Sequence, residues 1–185
     1  TFPYLCYHQI MKKGFTLVEL LVVVAIMGVL AAVGVVAYNG FTRSAKENAS
    51  RTNHANATAF LNAEFMKCSL GLPVKLKKST SGTTFEWSED LCPIIKSKNN
   101  IFELVVRIGD HFIAERWKNP YNTSAYAFTR CYPQNYTGNE TIGEMCVFDG
   151  ISQGANNLCN ASSICIFTRV NENDKLLGVI DLNGF

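Results

Sequence analysis

Residues 11–38 read MKKGFTLVELLVVVAIMGVLAAVGVVAY, and the reading of this stretch decides the fold. In the 24 positions 15–38, Glu19 is the only charged residue. A helix of that length, rising about 1.5 Å per residue, covers about 36 Å, enough to cross a hydrocarbon core of about 30 Å. The run holds Gly28 and Gly34 and no proline. Lipid leaves a backbone no partner but itself, so the segment is expected to be helical. A carboxylate at hydrocarbon level costs several kcal/mol unless it is paired, which makes Glu19 the first candidate functional residue. The bland reading is that Glu19 snorkels at the membrane edge.

Downstream, nothing stops the helix before Gly71 and Pro73. Ala57, Phe60, Leu61, Glu64, Phe65 and Cys68 recur at three- and four-residue steps, one amphipathic face of period 3.6. The spacing predicts a single helix from about Thr16 to about Leu70, apolar all round in residues 15–38 and striped for core packing in 39–70, with Gly40 loosening it slightly. Residues 77–93 (KKSTSGTTFEWSEDLCP) read as a polar, turn-rich loop. In residues 100–117 (NIFELVVRIGDHFIAERW) two apolar runs flank Gly109-Asp110, a hairpin signal. Residues 125–132, 145–150, 163–170 and 175–182 read as four more strands, the last two joined by a turn at 171–174. The expected fold is α+β: a long N-terminal helix whose striped half packs on a C-terminal antiparallel sheet, within a globular region 71–185.

Charge and cysteine usage narrow the function. Lys12 and Lys13 carry the whole net charge of +2, so the chain from Phe15 onward is neutral and has no broad field for nucleic acid. Lys75, Lys77 and Lys78 form one basic cluster, read as a solvated loop face. Beyond Cys6 there are six cysteines: Cys68, Cys92, Cys131, Cys146, Cys159 and Cys165. An even number after a membrane segment points to disulfides in an oxidising compartment. Spacing alone favours Cys68–Cys92, Cys131–Cys146 and Cys159–Cys165 among fifteen possible pairings. There is no CxxC, and His54 and His111 are the only histidines past the leader, so no metal or cofactor is expected. HExxH and P-loop patterns are missing, and no catalytic residue or enzyme activity is expected. His111, beside Asp110, reads as a turn or surface residue. Six Asn-x-Ser/Thr triplets, among them those at Asn56, Asn122 and Asn135, are what an Asn-rich chain produces by chance.

Lys12-Lys13-Gly14 followed by FTLVEL resembles the class III leader and mature N-terminus of type IV prepilins and the related pseudopilins, closely over residues 11–44 and in architecture alone beyond. The resemblance implies residues 1–14 as leader, with Met11 as the start. Residues 1–10 then read as upstream or non-native sequence, or as a genuine longer leader. It implies cleavage after Gly14 by a membrane peptidase that also methylates the new amino group of Phe15. Lys12 and Lys13 would hold the leader in the cytoplasm. Glu19 would meet the Phe15 ammonium of a neighbouring copy as helices stack into a filament, fixing axial register. The implied partners are further copies of the chain, the peptidase/methyltransferase, an inner-membrane assembly platform and, before assembly, lipid. The implied location is the bacterial inner membrane, with the C-terminal region periplasmic, and then an extracellular pilus. Many such chains carry proline where Val36 stands, and their helix partly unravels there. This one has none, and Gly28 and Gly34 are the candidates for loosening in that stretch. Chain beyond the Asn183-Gly184 turn is usual in the family. The leading functional expectation is a structural pilus subunit serving adhesion, motility or DNA uptake. A type II secretion pseudopilin is the alternative, although residues 171–174 and 181–183 do not match a calcium loop. A DNA-binding minor pilin, which would need a basic stripe with aromatics, comes last.

Overall fold

The computed structural model describes residues 14–81, 83–130, 141–150 and 159–185. Helix α1 runs Leu17–Ser69 without interruption. Its stop is a Schellman motif: the Leu72 N–H reaches the Lys67 carbonyl (2.9 Å) and the Gly71 N–H reaches that of Cys68 (3.2 Å). Gly71 takes the left-handed φ of +73° that this cap demands, and Pro73 follows.

The chain divides into two compact units, one ending at Thr42 and the other running Arg43–Phe185. In the first, α1 is bare: Leu17 is 80% exposed and Val36 75%. It is long and apolar enough to cross a membrane, with a mean hydropathy of 3.0 over eighteen residues. In the second, the striped half of α1 buries Ala57, Leu61, Phe65 and Cys68.

The segment after α1 is more structured than its polarity suggests. A two-stranded ribbon, β1 (Lys77–Ser81) and β2 (Thr84–Trp87), lies where a loop was expected, followed by a short helix α2 (Cys92–Ser97) opened by Pro93. The larger correction concerns residues 100–117. The expected hairpin is a helix, α3 (Ile101–Ala114), which passes straight through Gly109-Asp110. Ile101, Leu104, Val105, Ile108 and Phe112 are buried along one helical face, so the apolar spacing belongs to period 3.6 rather than 2.

His111 is corrected with it. It is buried on α3, not at a turn or on the surface. Its Nδ1 accepts the Lys77 N–H (3.3 Å), and the adjacent Asp110 Oδ2 accepts the Ser79 N–H (3.0 Å), so α3 satisfies two backbone donors of β1. Burial, more than the opposing pulls of Glu115, Lys77 and Glu64, holds the His111 pKa below the ordinary 6.5. Burial does the same for His54, whose Nδ1 lies 2.9 Å from the Thr168 hydroxyl. A depressed imidazole contributes stability that is present above the unfolded value and lost as pH falls through the folded one. Unfolding midpoints should therefore drop as pH falls below about 6.5. The drop should shrink in His111→Phe, and an undiminished drop would assign it to other groups.

A four-stranded sheet completes the second unit, in the order β3 (Phe128–Arg130), β4 (Met145–Asp149), β5 (Ser163–Arg169), β6 (Lys175–Asp181). The β4–β5 and β5–β6 pairs are antiparallel, but β3 pairs with β4 in parallel, so the sheet is mixed at that edge. The turn at 171–174 is closed by the Asn171 side chain, whose Oδ1 accepts the N–H groups of Asn173 and Asp174. One sheet face (Met145, Val147, Ile164, Ile166, Ile180) joins α1 and α3 in the main core, and the other carries Cys146, Phe148, Cys165 and Phe167. Gly178 lies under α1, where an added Cβ would stand 2.8 Å from the Thr58 hydroxyl.

Disulfides join Cys68 to Cys92 and Cys159 to Cys165. Cys146 is disulfide-bonded as well, while Cys131 lies outside the described residues. The Cys68–Cys92 bond closes a 24-residue separation between the end of α1 and α2. Chain-entropy estimates put such a crosslink at about 3–4 kcal/mol. The Cys68→Ala/Cys92→Ala double variant should lose that much in denaturant unfolding, and an unchanged midpoint would show the bond stabilises nothing.

Candidate functional site

The expected site begins at Gly14 and Phe15, both exposed, and continues into the first turn of α1. Lys12 and Lys13 lie outside the described residues. Thr16 sits directly before the helix and Glu19 in its third position, a capping-box arrangement. The Glu19 Oε2 accepts both the Thr16 N–H (2.8 Å) and the Thr16 hydroxyl (2.9 Å), and the Thr16 Oγ1 accepts the Glu19 N–H (3.2 Å). Two of the donors orphaned at a helix start are thereby met within four residues of chain. Both interactions of the carboxylate use one oxygen. Oε1 has no partner among the described residues.

Thr16 is the residue of this candidate site that the sequence reading missed, although its signal was in plain view: T-x-x-E at 16–19 ahead of an apolar run. Around the cap every side chain from Leu17 to Val24 faces outward, so the single carboxylate stands at the head of a wholly apolar surface. Gly28, Gly34 and Val36 are all helical, and a Cβ added at either glycine would meet nothing within 4 Å. Those glycines leave the α1 surface flat where another helix could approach closely.

Elsewhere the other candidates are placed as follows. The Lys77 ammonium pairs with Glu115 (2.6 Å) and that of Lys78 with Glu86 (3.2 Å), which neutralises most of the basic cluster. No group of three or more potential metal-ligating side chains occurs among the described residues. GISQG at residues 150–154 fits the Gly-x-Ser-x-Gly pattern, which the sequence reading wrongly took to be missing. All of it but Gly150 lies outside the described residues.

A family described as the prokaryotic N-terminal methylation motif matches residues 11–35. A type IV major pilin protein, PilE1 of Neisseria gonorrhoeae, is 53% identical over 36 residues, covering 20% of this chain and 22% of that protein. A fimbrial protein of Neisseria meningitidis serogroup B is likewise 53% identical over 36 residues, 20% of this chain and 21% of its own length. The chain thus spans about a fifth of the length of the curated relatives it matches. No solved structure matches it. The similarity falls on the segment that carries the capped carboxylate and the bare apolar helix, and it is this N-terminal segment that the chain shares with type IV pilins.

Proposed function

We propose that the chain is a structural subunit of a type IV pilus or pilus-like filament. The observation that carries this reading is a bare apolar helix with one capped carboxylate at its head, lying within a methylation motif. Exposed apolar surface of that extent calls for lipid or for other helices. Residues 1–14 act as leader, removed after Gly14 by a peptidase that methylates Phe15. The helix of residues 15–38 waits in the inner membrane with the C-terminal region outside the cytoplasm, where the cysteines oxidise. Residues 39–70 and 71–185 then form the outer body of the filament. On assembly, Glu19 receives the Phe15 ammonium of a neighbouring copy. Two charges that are each costly in an apolar bundle become tolerable together and set the axial register. Cys131–Cys146 is proposed as the third disulfide.

The test is an intact mass on filaments sheared from source cells. The proposal expects a dominant subunit that begins at methylated Phe15 and has lost six hydrogens to disulfides. If sheared filaments lack a processed subunit that stays in the membrane, the pilus reading fails and the secretion pseudopilin takes its place.

A further inference from the structure

A groove of about 270 Å³ opens between the second half of α1, residues 73–75 and the end of β2. Its floor is a stacked pair, Phe60 on His111, with ring centroids 5.0 Å apart and planes within 7°. Its wall is Trp87, 6.4 Å from the imidazole and 61% exposed. Glu64, Lys67 and Lys75 stand around it.

Two groups in this groove have unused capacity. His111 is only 6% exposed, and its Nδ1 is occupied as an acceptor by the Lys77 N–H. The imidazole proton is therefore on Nε2. No described residue accepts it, and the atom is open to water, which leaves a free N–H donor among the groove's lining. A ligand oxygen that enters the groove can take this hydrogen bond in place of water. The second group is Lys75. Lys67 is held by both oxygens of Glu64 (2.6 and 2.7 Å), whereas Lys75 has no ion pair among the described residues. The lining thus carries one uncompensated positive charge beside a broad, exposed indole.

We propose that this groove binds an acidic sugar, a single pyranose ring bearing a carboxylate. The apolar face of the ring lies on the Trp87 indole, the carboxylate meets the Lys75 ammonium, and a ring oxygen accepts the His111 Nε2–H. Each feature rules out a simpler occupant. A purely apolar ligand would strand the His111 donor and desolvate Lys75 without a partner. A small bare anion would leave Trp87 unused. An amphipathic ring with one negative charge uses the aromatic wall, the donor and the cation together. The volume, near the lower end of small-molecule pockets, suits one ring rather than a chain. The proposal is independent of filament assembly.

The full chain in zwitterionic, sugar-free detergent micelles is titrated with glucuronate, glucose and acetate, read by tryptophan fluorescence and calorimetry. Glucuronate is expected to bind at least about tenfold more tightly than glucose or acetate. Lys75→Gln should bring glucuronate down to the level of glucose and leave glucose unchanged. Trp87→Ala should remove the binding of both sugars. Both side chains are exposed or at the rim, so unfolding midpoints serve as the control for intact folding. Equal affinity for glucose and glucuronate, full competition by acetate, retention of binding in Trp87→Ala, or no glucuronate binding would each overturn the proposal. The acetate outcome would point instead to an acidic protein side chain as the occupant.

Discussion

Glu19→Ala is expected to leave the subunit synthesised, cleaved after Gly14 and methylated at Phe15, and to remove it from sheared filaments. In the structure this carboxylate is tied to Thr16 through Oε2 alone, and Oε1 has no partner among the described residues. The proposed filament gives Oε1 the Phe15 ammonium of the next copy. Removing one member of a buried pair typically costs about 3–5 kcal/mol, because the other charge is then stranded. At about 1.4 kcal/mol per decade, that is a hundredfold or greater loss in each subunit's association constant. Filaments multiply the loss over every contact, so yield should fall below detection rather than decline in proportion. Thr16→Val is the companion variant. It removes the hydroxyl that holds Oε2 but leaves the charge, and cap losses run at about 1 kcal/mol, so filaments should be fewer yet present. Mass spectrometry of the membrane fraction separates a processing defect from an assembly defect. Normal filament yield from a processed Glu19→Ala subunit would dispose of the charge-pairing role.

The two ends of the fold differed in how readily they could be read. Helix α1 was legible because its determinants are local: an apolar run without proline, a stripe of period 3.6, and a Gly71–Pro73 stop that the structure resolves into a named cap. Strands β4, β5 and β6 were legible for a similar reason, since the Asn171 side chain closes the turn joining the last two. The parallel β3–β4 edge was not, because which strands become neighbours depends on contacts distant in sequence. Asp110 and His111 were misjudged on the same ground: their partners are backbone donors of β1, 31 and 34 residues away. In the candidate site, the role proposed for Glu19 came from the leader pattern. Its geometry depended on Thr16, three residues earlier, whose capping signal was overshadowed by the membrane-like run around it.

Phe112→Ala is the second large effect, and it bears on the element that sequence patterning misread. Gly109-Asp110 between β-branched residues imitates a hairpin, and short apolar runs do not by themselves distinguish strand from helix. The two readings differ in which residues share a face. A strand through 102–108 would place Phe102 with Leu104 and Ile108, whereas the helix turns Phe102 outward, 50% exposed, and buries Leu104, Ile108 and Phe112. Phe112 is the hub of the aromatic core. Its ring stacks on Phe128 at 4.0 Å and meets Trp117 and Phe60 edge-on at 4.7 and 5.6 Å. Truncation removes those contacts and leaves a cavity that the disulfide-tied surroundings fill poorly, at about 3–5 kcal/mol. For a chain of this size the unfolding midpoint should fall by about 10 °C. Phe102→Ala deletes the same side chain from the same helix and should cost less than about 1 kcal/mol, as expected of a half-exposed position. A loss from Phe102→Ala equal to that from Phe112→Ala would return both residues to one face and the segment to a strand. A large loss at Phe112 alone fits α3 as the element that braces the ribbon and sheet against α1.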